Sequence, residues 1–491
     1  MSGISRRQFL KTGATAALGL SIVPNTVLGK SFGHVAPSDK LNIAAVGIGG
    51  MGHANINAVK GTENIVGLCD VNWAYAKGVF DEFPKAKRYW DYRKMFDEMG
   101  NEIDAVIVAT PDHTHAIVTA DAMTMGKGVY CQKPLTHSVY ESRLLTRLAD
   151  STGVPTQMGN QGASGDGTQT VCDWIWNGEI GEVYKVECAT DRPIWPQGLN
   201  APEKVDKVPK TLDWDLFSGP AKVNPYSSLY EPWNWRGWWD YGTGALGDMA
   251  CHILHQPFKA LKLGYPTKVE GSSTLLLNAC APQAQHVKMI FPARENMPKI
   301  AMPEVEIHWY DGGMMPDRPE GFPQGRQLMQ SGGGLTIFHG TKDTLICGCY
   351  GNDPWLLSGR VPNAPKVARR VKTSHEMDWV GACKEDKSSR RQLTSTFQEA
   401  GPFNEMIAMG VLAVRLQALN KTLEWDGNNM KFTNIGPDET IRTVVKDGFK
   451  IHNGHPTFDK TWTDPVNAQE FAAELINHTY RPGWKLPDMP A

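Results

Sequence analysis

An acid and a histidine four residues apart follow a loop rich in aromatic residues and glycine, in WRGWWDYGTGALGDMACHILH, residues 235–255. This spacing places Asp248 and His252 on one face of a helix, about one turn apart. An imidazole next to a carboxylate suits proton transfer near neutral pH, because histidine titrates there. We predict a site here and no metal. The alternatives are a packing pair and, less favoured, a metal site that also uses His255.

The elements that must position this site begin with a glycine turn. The segment Gly47–Gly52 reads G-x-G-x-x-G, ends an apolar strand and opens a helix, and Asp70 closes the next strand. That context is what dinucleotide binding requires, because the glycines bring the backbone close to the pyrophosphate and the acid accepts hydrogen bonds from the ribose. A 2′-phosphate would meet the Asp70 carboxylate, so the motif favours NAD over NADP. We predict contacts to the cofactor from Gly47, Ile48, Gly49, Gly50, Met51, Gly52 and Asp70.

The pattern of apolar runs divides the chain in two. Strand and helix patterns alternate over 41–160, which predicts an α/β domain with a parallel sheet. Residues 161–491 carry several strand-like runs with few helices between them, which favours a mostly antiparallel sheet. The stretch 292–335 is rich in Gly, Pro and Met, and it predicts a surface insertion.

Composition excludes several classes of protein. Of 491 residues, 41% are hydrophobic and 21% charged, and 50 basic residues offset 52 acidic ones to give a net charge of −2. Such a balance is globular and favours neither nucleic acid nor an anionic membrane as a partner. The nine cysteines are scattered without a CxxC, so they predict neither a disulfide framework nor a zinc site. No segment reaches the length of apolar sequence that a membrane-spanning helix needs.

The N-terminus resembles an export signal. Arg6 and Arg7 precede a mildly apolar run and small residues near Gly29. This order is similar to a twin-arginine signal, which predicts removal of residues 1–29 and passage of a folded protein through the twin-arginine export machinery to the periplasm. The alternative is an amphipathic tail on a cytoplasmic protein.

Four motifs in order carry a family resemblance. The glycine motif, ATPDHTHA (109–116), CQKPL (131–135) and the Asp-x-x-x-His helix resemble the glucose–fructose oxidoreductase, inositol dehydrogenase and rhizopine-catabolism family, Gfo/Idh/MocA. The resemblance implies a Rossmann domain over 41–160 and a C-terminal α+β domain over 161–491 with a large, open, mostly antiparallel sheet. That second domain would bind substrate and form a homo-oligomer, a dimer or tetramer.

The resemblance also implies roles for individual residues. Lys133, Asp248 and His252 would be catalytic, with either the lysine or the histidine taking the proton. Gln132 stands where the family has glutamate, and Asp112 where it has asparagine. Further cofactor contacts would come from Thr110, Pro111, His115, Gln132, Lys133 and Gln161. The substrate pocket would be shaped by Arg192, Trp195, Arg236, Trp238, Trp239 and Tyr241.

Three functions fit these residues. The first is an NAD-dependent oxidoreductase that acts on a secondary alcohol of a sugar, glycoside or cyclitol. Because free NAD is scarce outside the cytoplasm, an exported member would hold NAD tightly and restore it in each cycle. The second function is therefore redox-neutral glycoside cleavage by oxidation, elimination, hydration and reduction, as in exported family members. The third is a non-catalytic sugar or nucleotide sensor, which would not need Lys133 or His252.

Overall fold

A six-stranded parallel sheet forms the N-terminal part of the fold. The computed structural model describes residues 39–490, and residues from Leu41 onward form one compact unit. The predicted signal over 1–29 lies outside the described residues. The strand order is β3-β2-β1-β4-β5-β6, that of a doubly wound dinucleotide-binding fold. The strands are β1 (Asn42–Val46), β2 (Asn64–Cys69), β3 (Lys87–Tyr89), β4 (Ala105–Val108), β5 (Gly128–Cys131) and β6 (Thr156–Met158).

Helices form the crossover connections between these parallel strands. Ser138 and Glu141 form a capping box, since each side chain accepts a backbone N–H of the other residue. A 3-10 turn, Gln161–Ser164, follows the last strand. The helices of this part are α1 (Met51–Val59), α2 (Lys77–Glu82), α3 (Tyr92–Met99), α4 (Asp112–Thr124), α5 (Val139–Thr152) and α6 (Asp166–Trp176).

A nine-stranded mixed sheet forms the rest of the core. Its order is β13-β12-β11-β7-β10-β9-β8-β14-β15, and every adjacent pair is antiparallel except β7 with β10. The α/β fold class predicted from sequence is therefore confirmed. The strands are β7 (Val183–Thr190), β8 (Lys268–Ser273), β9 (Gln285–Phe291), β10 (Val305–Tyr310), β11 (Gly334–Gly340), β12 (Thr344–Cys347), β13 (Trp355–Leu356), β14 (Leu423–Asp426) and β15 (Lys431–Phe432).

Six further helices and three small two-stranded sheets complete the described part of the fold. The helices are α7 (Trp214–Ser218), α8 (Gly244–Ile253), α9 (His255–Ala260), α10 (His375–Cys383), α11 (Phe397–Arg415) and α12 (Ala468–Ile476). Short 3-10 turns lie at Asn234–Gly237, Ser331–Gly333, Cys349–Gly351 and Gln417–Leu419. The remaining strands pair two by two and are β16 (Thr440–Ile441), β17 (Val444–Lys446), β18 (Phe449–His452), β19 (His455–Phe458), β20 (Thr461–Trp462) and β21 (Val466–Asn467).

The two sheets share one hydrophobic core. Helix α11 joins them, because Phe397 and Phe403 are fully buried in the same cluster as Leu144 of α5 and Met289 of β9. Helix α10 also returns to the parallel sheet, where Trp379 packs among its residues. Residues on both sides of the boundary near residue 160 therefore pack in one core, although the sequence pattern changes at that boundary.

Residues 292–335 are not an insertion throughout. They contain β10, which lies in the interior of the nine-stranded sheet between β7 and β9. Beyond β10, Phe322 and Leu328 pack on buried side chains of β11 and β12 and cover part of the sheet. Gly and Pro residues lie in the loops on both sides of β10. Their abundance in the sequence made the whole stretch 292–335 resemble a single loop.

No helix among residues 39–490 is long and apolar enough to cross a membrane. The nine cysteines, all within the described residues, are free thiols. Eight of them are buried, and burial raises the pKa of thiols such as Cys188 and Cys251 above the ordinary range.

Candidate active site

A cleft of about 630 Å³ runs from the glycine turn to the helix that carries Asp248 and His252. One wall is the carboxyl edge of the parallel sheet, where ligands bind in open α/β folds. The other wall comes from α7, the 3-10 turn Asn234–Gly237 and α8. The cleft therefore joins the predicted cofactor site to the predicted catalytic residues.

The glycine turn is shaped for close approach of a ligand. Gly47 has φ +75°, and a Cβ there would lie 2.6 Å from the backbone nitrogen of Thr110. A Cβ on Gly52 would lie 1.9 Å from the carbonyl oxygen of Gly47, so only glycine lets α1 pack this closely. The N-cap of α1, Gly50, supplies no side-chain cap. The N-terminus of α1 thus faces the cleft without a side-chain cap, and its helix dipole favours the phosphate oxygens of a pyrophosphate.

Asp70 braces this turn from the end of β2. Its carboxylate accepts the backbone N–H of Ile48 at 2.9 Å and of Gly49 at 3.3 Å, and the N–H of Asn72 at 2.8 Å. Burial raises the pKa of Asp70, which these backbone donors partly offset. The carboxylate lines the cleft and keeps acceptor capacity for a ribose hydroxyl. The residues present fit NAD.

Lys133 and Asp248 form an ion pair across the cleft. Lys133 follows β5, and its Nζ lies 2.8 Å from Asp248 Oδ1 and 2.9 Å from the Asp248 carbonyl oxygen. The same carboxylate oxygen accepts Arg236 Nε at 3.0 Å. Burial alone would raise the pKa of Asp248, but the two cations hold it well below its usual range. Asp248 is therefore an anion that fixes both cations.

His252 lines the cleft beside this pair without bonding to it. Its Nδ1 is buried and has no hydrogen-bond partner among the described residues. Burial, reinforced by the charge of Lys133, lowers the pKa of His252 to about 3. The imidazole is therefore neutral in ordinary buffers. No hydrogen bond joins Asp248 to His252, and both cations bind Asp248 through Oδ1.

Two substitutions relative to the family pattern are accommodated next to the ion pair. Gln132 is buried and donates from Nε2 to Asn55 Oδ1 at 2.8 Å. Asp112 accepts the backbone N–H of Thr243 at 3.1 Å and its hydroxyl at 2.7 Å. Burial raises the pKa of Asp112 to about 7, despite the nearby cations.

His115 lies behind the cleft rather than along it. Its Nδ1 is 2.7 Å from the carbonyl oxygen of Pro134, and its Nε2 is 2.8 Å from that of Thr110. The ring thus ties the end of β4 to the segment that carries Lys133. Among the predicted cofactor residues, those that line the cleft are Gly47, Gly49, Gly50, Met51, Asp70, Thr110, Pro111, Gln132, Lys133 and Gln161.

The predicted substrate residues divide into two groups. Arg236 lines the cleft, and its guanidinium carbon lies 3.7 Å from the ring centroid of Trp233 and 4.3 Å from that of Trp235. The others do not line it: Arg192 pairs with Asp191, and the aromatic rings are buried with polar atoms bonded inside the protein. The indole N–H of Trp195 donates to Gln197, that of Trp238 to the Leu229 carbonyl oxygen, and that of Trp239 to the Leu277 carbonyl oxygen. The Tyr241 hydroxyl accepts from Asn224.

Sequence reasoning did not single out several residues that line the cleft. Trp233 is 43% exposed at its mouth, and Tyr350 lies with its ring edge-on to His252 at 4.9 Å. Tyr350 has φ +62°, a strained conformation for a non-glycine residue. Trp233 belongs to the same aromatic run as Arg236, so its proximity was a usable signal. Nothing in the sequence around Tyr350 indicates that it folds back to the site.

Two family models match this chain. The model for the NAD-binding Rossmann fold of an oxidoreductase family, Gfo/Idh/MocA, matches residues 41–160. The model for the C-terminal alpha/beta domain of the same family matches residues 192–272. The first match coincides with the parallel sheet, and the second contains α8 with Asp248 and His252.

Curated relatives match part of this chain at low identity. An alpha-N-acetylgalactosaminidase of Shewanella oneidensis is 27% identical over 216 residues, which cover 38% of this chain and 46% of the relative. An inositol 2-dehydrogenase of Salmonella paratyphi B is 28% identical over 152 residues, 30% of this chain and 44% of the relative. The chain thus spans about half the length of the curated relatives it matches.

A solved structure shares the fold at low identity. The WlbA dehydrogenase of Bordetella pertussis, solved with NADH and UDP-GlcNAcA, has a TM-score of 0.51 and 17% identity, and the match covers 79% of this chain and 99% of that one. The two matched stretches, 41–160 and 192–272, therefore belong to the Gfo/Idh/MocA oxidoreductase family, the first of them as its NAD-binding domain.

Proposed function

We propose that this protein oxidises a secondary hydroxyl of a sugar, glycoside or cyclitol with NAD held in the cleft. The observation that carries the proposal is the Lys133–Asp248 ion pair at 2.8 Å, beside His252 and in the same cleft as the glycine turn. This arrangement brings a proton-handling group to the place where a cofactor on the turn would meet a substrate.

NAD, when bound, would accept a hydride from the substrate carbon. Its pyrophosphate would lie on the N-terminus of α1, and Asp70 would bind its ribose. Because His252, with a pKa lowered to about 3, is a weak base at neutral pH, Lys133 would take the hydroxyl proton as a neutral amine, after passing its ammonium proton to solvent through the cleft. His252 would hold the hydroxyl by a hydrogen bond, and Asp248 would orient the Lys133 side chain.

The walls of the cleft support a sugar-like substrate. Trp233 presents a partly exposed indole at the mouth, and Arg236 lies against it. Flat aromatic faces combined with charged donors suit a ring that carries C–H groups on one face and hydroxyls at its edge. The names of the relatives, a galactosaminidase and an inositol dehydrogenase, support the same class.

The test is product analysis with NAD-loaded protein and a panel of sugars, glycosides and cyclitols. We expect a keto product that forms together with reduced nicotinamide, and its loss in a Lys133→Met variant. Lys127→Met is the matched control, since Lys127 precedes β5 at the end away from the cleft and bonds the Ile103 carbonyl. Binding of NAD without oxidation of any alcohol would contradict the proposal.

Redox-neutral glycoside cleavage is the second candidate, and the similarity to an alpha-N-acetylgalactosaminidase favours it. Oxidation next to a carbon acidifies its proton, so that elimination, hydration and reduction can follow. Cleavage in D₂O would then leave one deuterium on the carbon next to the oxidised position. Sugar release without that deuterium would contradict this route.

We also propose that residues 1–29 direct export through the twin-arginine machinery to the periplasm, and that the protein acts as a homo-oligomer. Replacing both Arg6 and Arg7 by lysine should keep the protein in the cytoplasm, as measured by cell fractionation. Sedimentation of the mature protein should give a mass of a dimer or tetramer. Periplasmic recovery of the double variant would contradict the export proposal, and a monomer would contradict the assembly.

A further inference from the structure

The C-terminal segment 477–490 passes one end of the cleft, where Trp484 lies near Tyr92. It follows α12 and is anchored on α5 at both ends, by the Tyr480 hydroxyl on Glu141 at 2.6 Å and by Arg147 on the carbonyl oxygen of Pro490 at 3.0 Å. Between these anchors, Trp484 lines the cleft. We call residues 477–490 the C-terminal strap.

Two arginines hold the middle of the strap to opposite walls. Arg481 pairs with the Asp215 carboxylate at 2.8 Å and donates to the carbonyl oxygens of Asp215 and Gly219, in and just after α7. Arg93, at the start of α3, donates to the carbonyl oxygen of Gly483 at 3.3 Å. Residues 481–484 therefore bridge the substrate-domain wall and the Rossmann wall.

The aromatic rings at this end each have one face already covered. Trp73 stacks on Trp90 with centroids 4.6 Å apart, and the Arg93 guanidinium lies 4.3 Å from the Trp484 ring centroid. Both Trp90 and Trp484 line the cleft, and Tyr92 lies nearby with its ring 6.4 Å from Trp484. The Arg481 guanidinium lies 5.9 Å from the Trp484 centroid, so a ligand in the cleft would meet the part of that ring that the two arginines leave uncovered.

This end of the cleft adjoins Asp70, which closes β2. In a doubly wound fold, the acid at this position binds the adenine ribose, so the adenine lies just beyond it. We propose that the strap completes the adenine subsite, with Trp484 as its wall, and retains NAD as a resident group. The proposal rests on the proposed function, and it adds a retention device that the Rossmann domain alone does not supply.

The test is the rate at which NAD leaves the protein. NAD-loaded wild type, Trp484→Ala, Trp484→Phe and Arg481→Gln are passed into nucleotide-free buffer, and released NAD is measured over time. Loss of base stacking on an aromatic ring should speed release in Trp484→Ala by about tenfold or more. Trp484→Phe should stay close to wild type. Arg481→Gln should lie between, because it loosens the strap without removing the ring.

A matched control and two nucleotide fragments sharpen the result. Trp462→Ala removes an exposed indole on β20 that also contacts an arginine, Arg442, but does not line the cleft. It should release NAD at the wild-type rate. Trp484→Ala should weaken binding of ADP-ribose and leave binding of nicotinamide mononucleotide unchanged.

The outcomes separate this inference from the proposed function. Wild-type release from Trp484→Ala, in a protein that binds NAD and oxidises a sugar, would overturn the strap alone. Equal weakening of ADP-ribose and nicotinamide mononucleotide would also overturn it, because the effect would then be general. A wild-type protein that binds no NAD would contradict both proposals.

Discussion

The side chain of Lys133 lies 2.8 Å from the carboxylate of Asp248, although the two residues are 115 positions apart in the sequence. The first follows strand β5 of the parallel sheet, and the second lies on a helix of the other part of the fold. Arg236 shares the same carboxylate oxygen. One buried anion therefore organises two cations at the place where the two matched domains meet.

Replacing Lys133 by methionine should abolish oxidation and spare the cofactor. Loss of a positioned proton-transfer group lowers kcat by at least about 100-fold. The glycine turn and Asp70 are untouched, so the Kd for NAD should stay near the wild-type value. Single-turnover kinetics and NAD titration measure the two effects, and full activity of the variant would refute the role of Lys133.

Replacing Asp70 by alanine should weaken NAD and reduce discrimination against NADP. The variant loses the carboxylate that accepts the Ile48 and Gly49 N–H groups and that repels a 2′-phosphate. Because hydrogen bonds to a charged group are lost, NAD affinity should fall by about tenfold or more. The ratio of the NAD and NADP dissociation constants measures the effect, and an unchanged ratio would remove Asp70 from the ribose site.

Replacing His252 by glutamine should lower kcat/KM without removing an ionisation from its pH profile. The pKa of His252 is lowered to about 3, so the imidazole is neutral at about pH 5 and above. Its contribution is then a hydrogen bond, and the profile of the variant should keep the wild-type shape. A wild-type inflection near the ordinary histidine pKa that disappears in His252→Gln would show instead that His252 is the titrating base.

Replacing Asp112 by asparagine should stabilise the protein at alkaline pH. Because burial raises the folded pKa of Asp112 to about 7, the wild type loses stability as pH rises from the unfolded pKa through about 7. Asparagine can still accept from Thr243 and does not ionise. The free energy of unfolding of the variant minus that of the wild type should be about 2–4 kcal/mol larger at about pH 8 than at about pH 4. Denaturant unfolding at both pH values measures this, and a pH-independent difference would contradict it.

Trp233 and Trp238 should respond to alanine in different ways, although they are five residues apart. Trp233 is partly exposed at the cleft mouth, so its loss should raise the KM for the sugar by about tenfold with little change in folding. Trp238 is 1% exposed, and its loss should cost about 3–5 kcal/mol of stability. Kinetics and thermal unfolding distinguish the two, and the reverse pattern would place the substrate wall at Trp238.

Local sequence was sufficient where one short stretch decides the structure. The glycine turn and the acid after β2 each depend on residues close in sequence, and each could be predicted. The resemblance implied that Lys133 and Asp248 share one site, but the ion pair between them could not be predicted, because it depends on how distant elements pack. Burial of Trp238, Trp239 and Tyr241 could not be predicted, since exposed and buried aromatic residues alternate within one irregular loop.

The central claim is tested most directly by absorbance at about 340 nm on the purified protein, with glycosides and cyclitols but no added NAD. We expect a rise in this absorbance equivalent to the amount of bound cofactor. The rise is either persistent, with a keto product, or transient, with release of a sugar. No bound NAD in the purified protein, or no rise and no product with any alcohol in the panel, would contradict it.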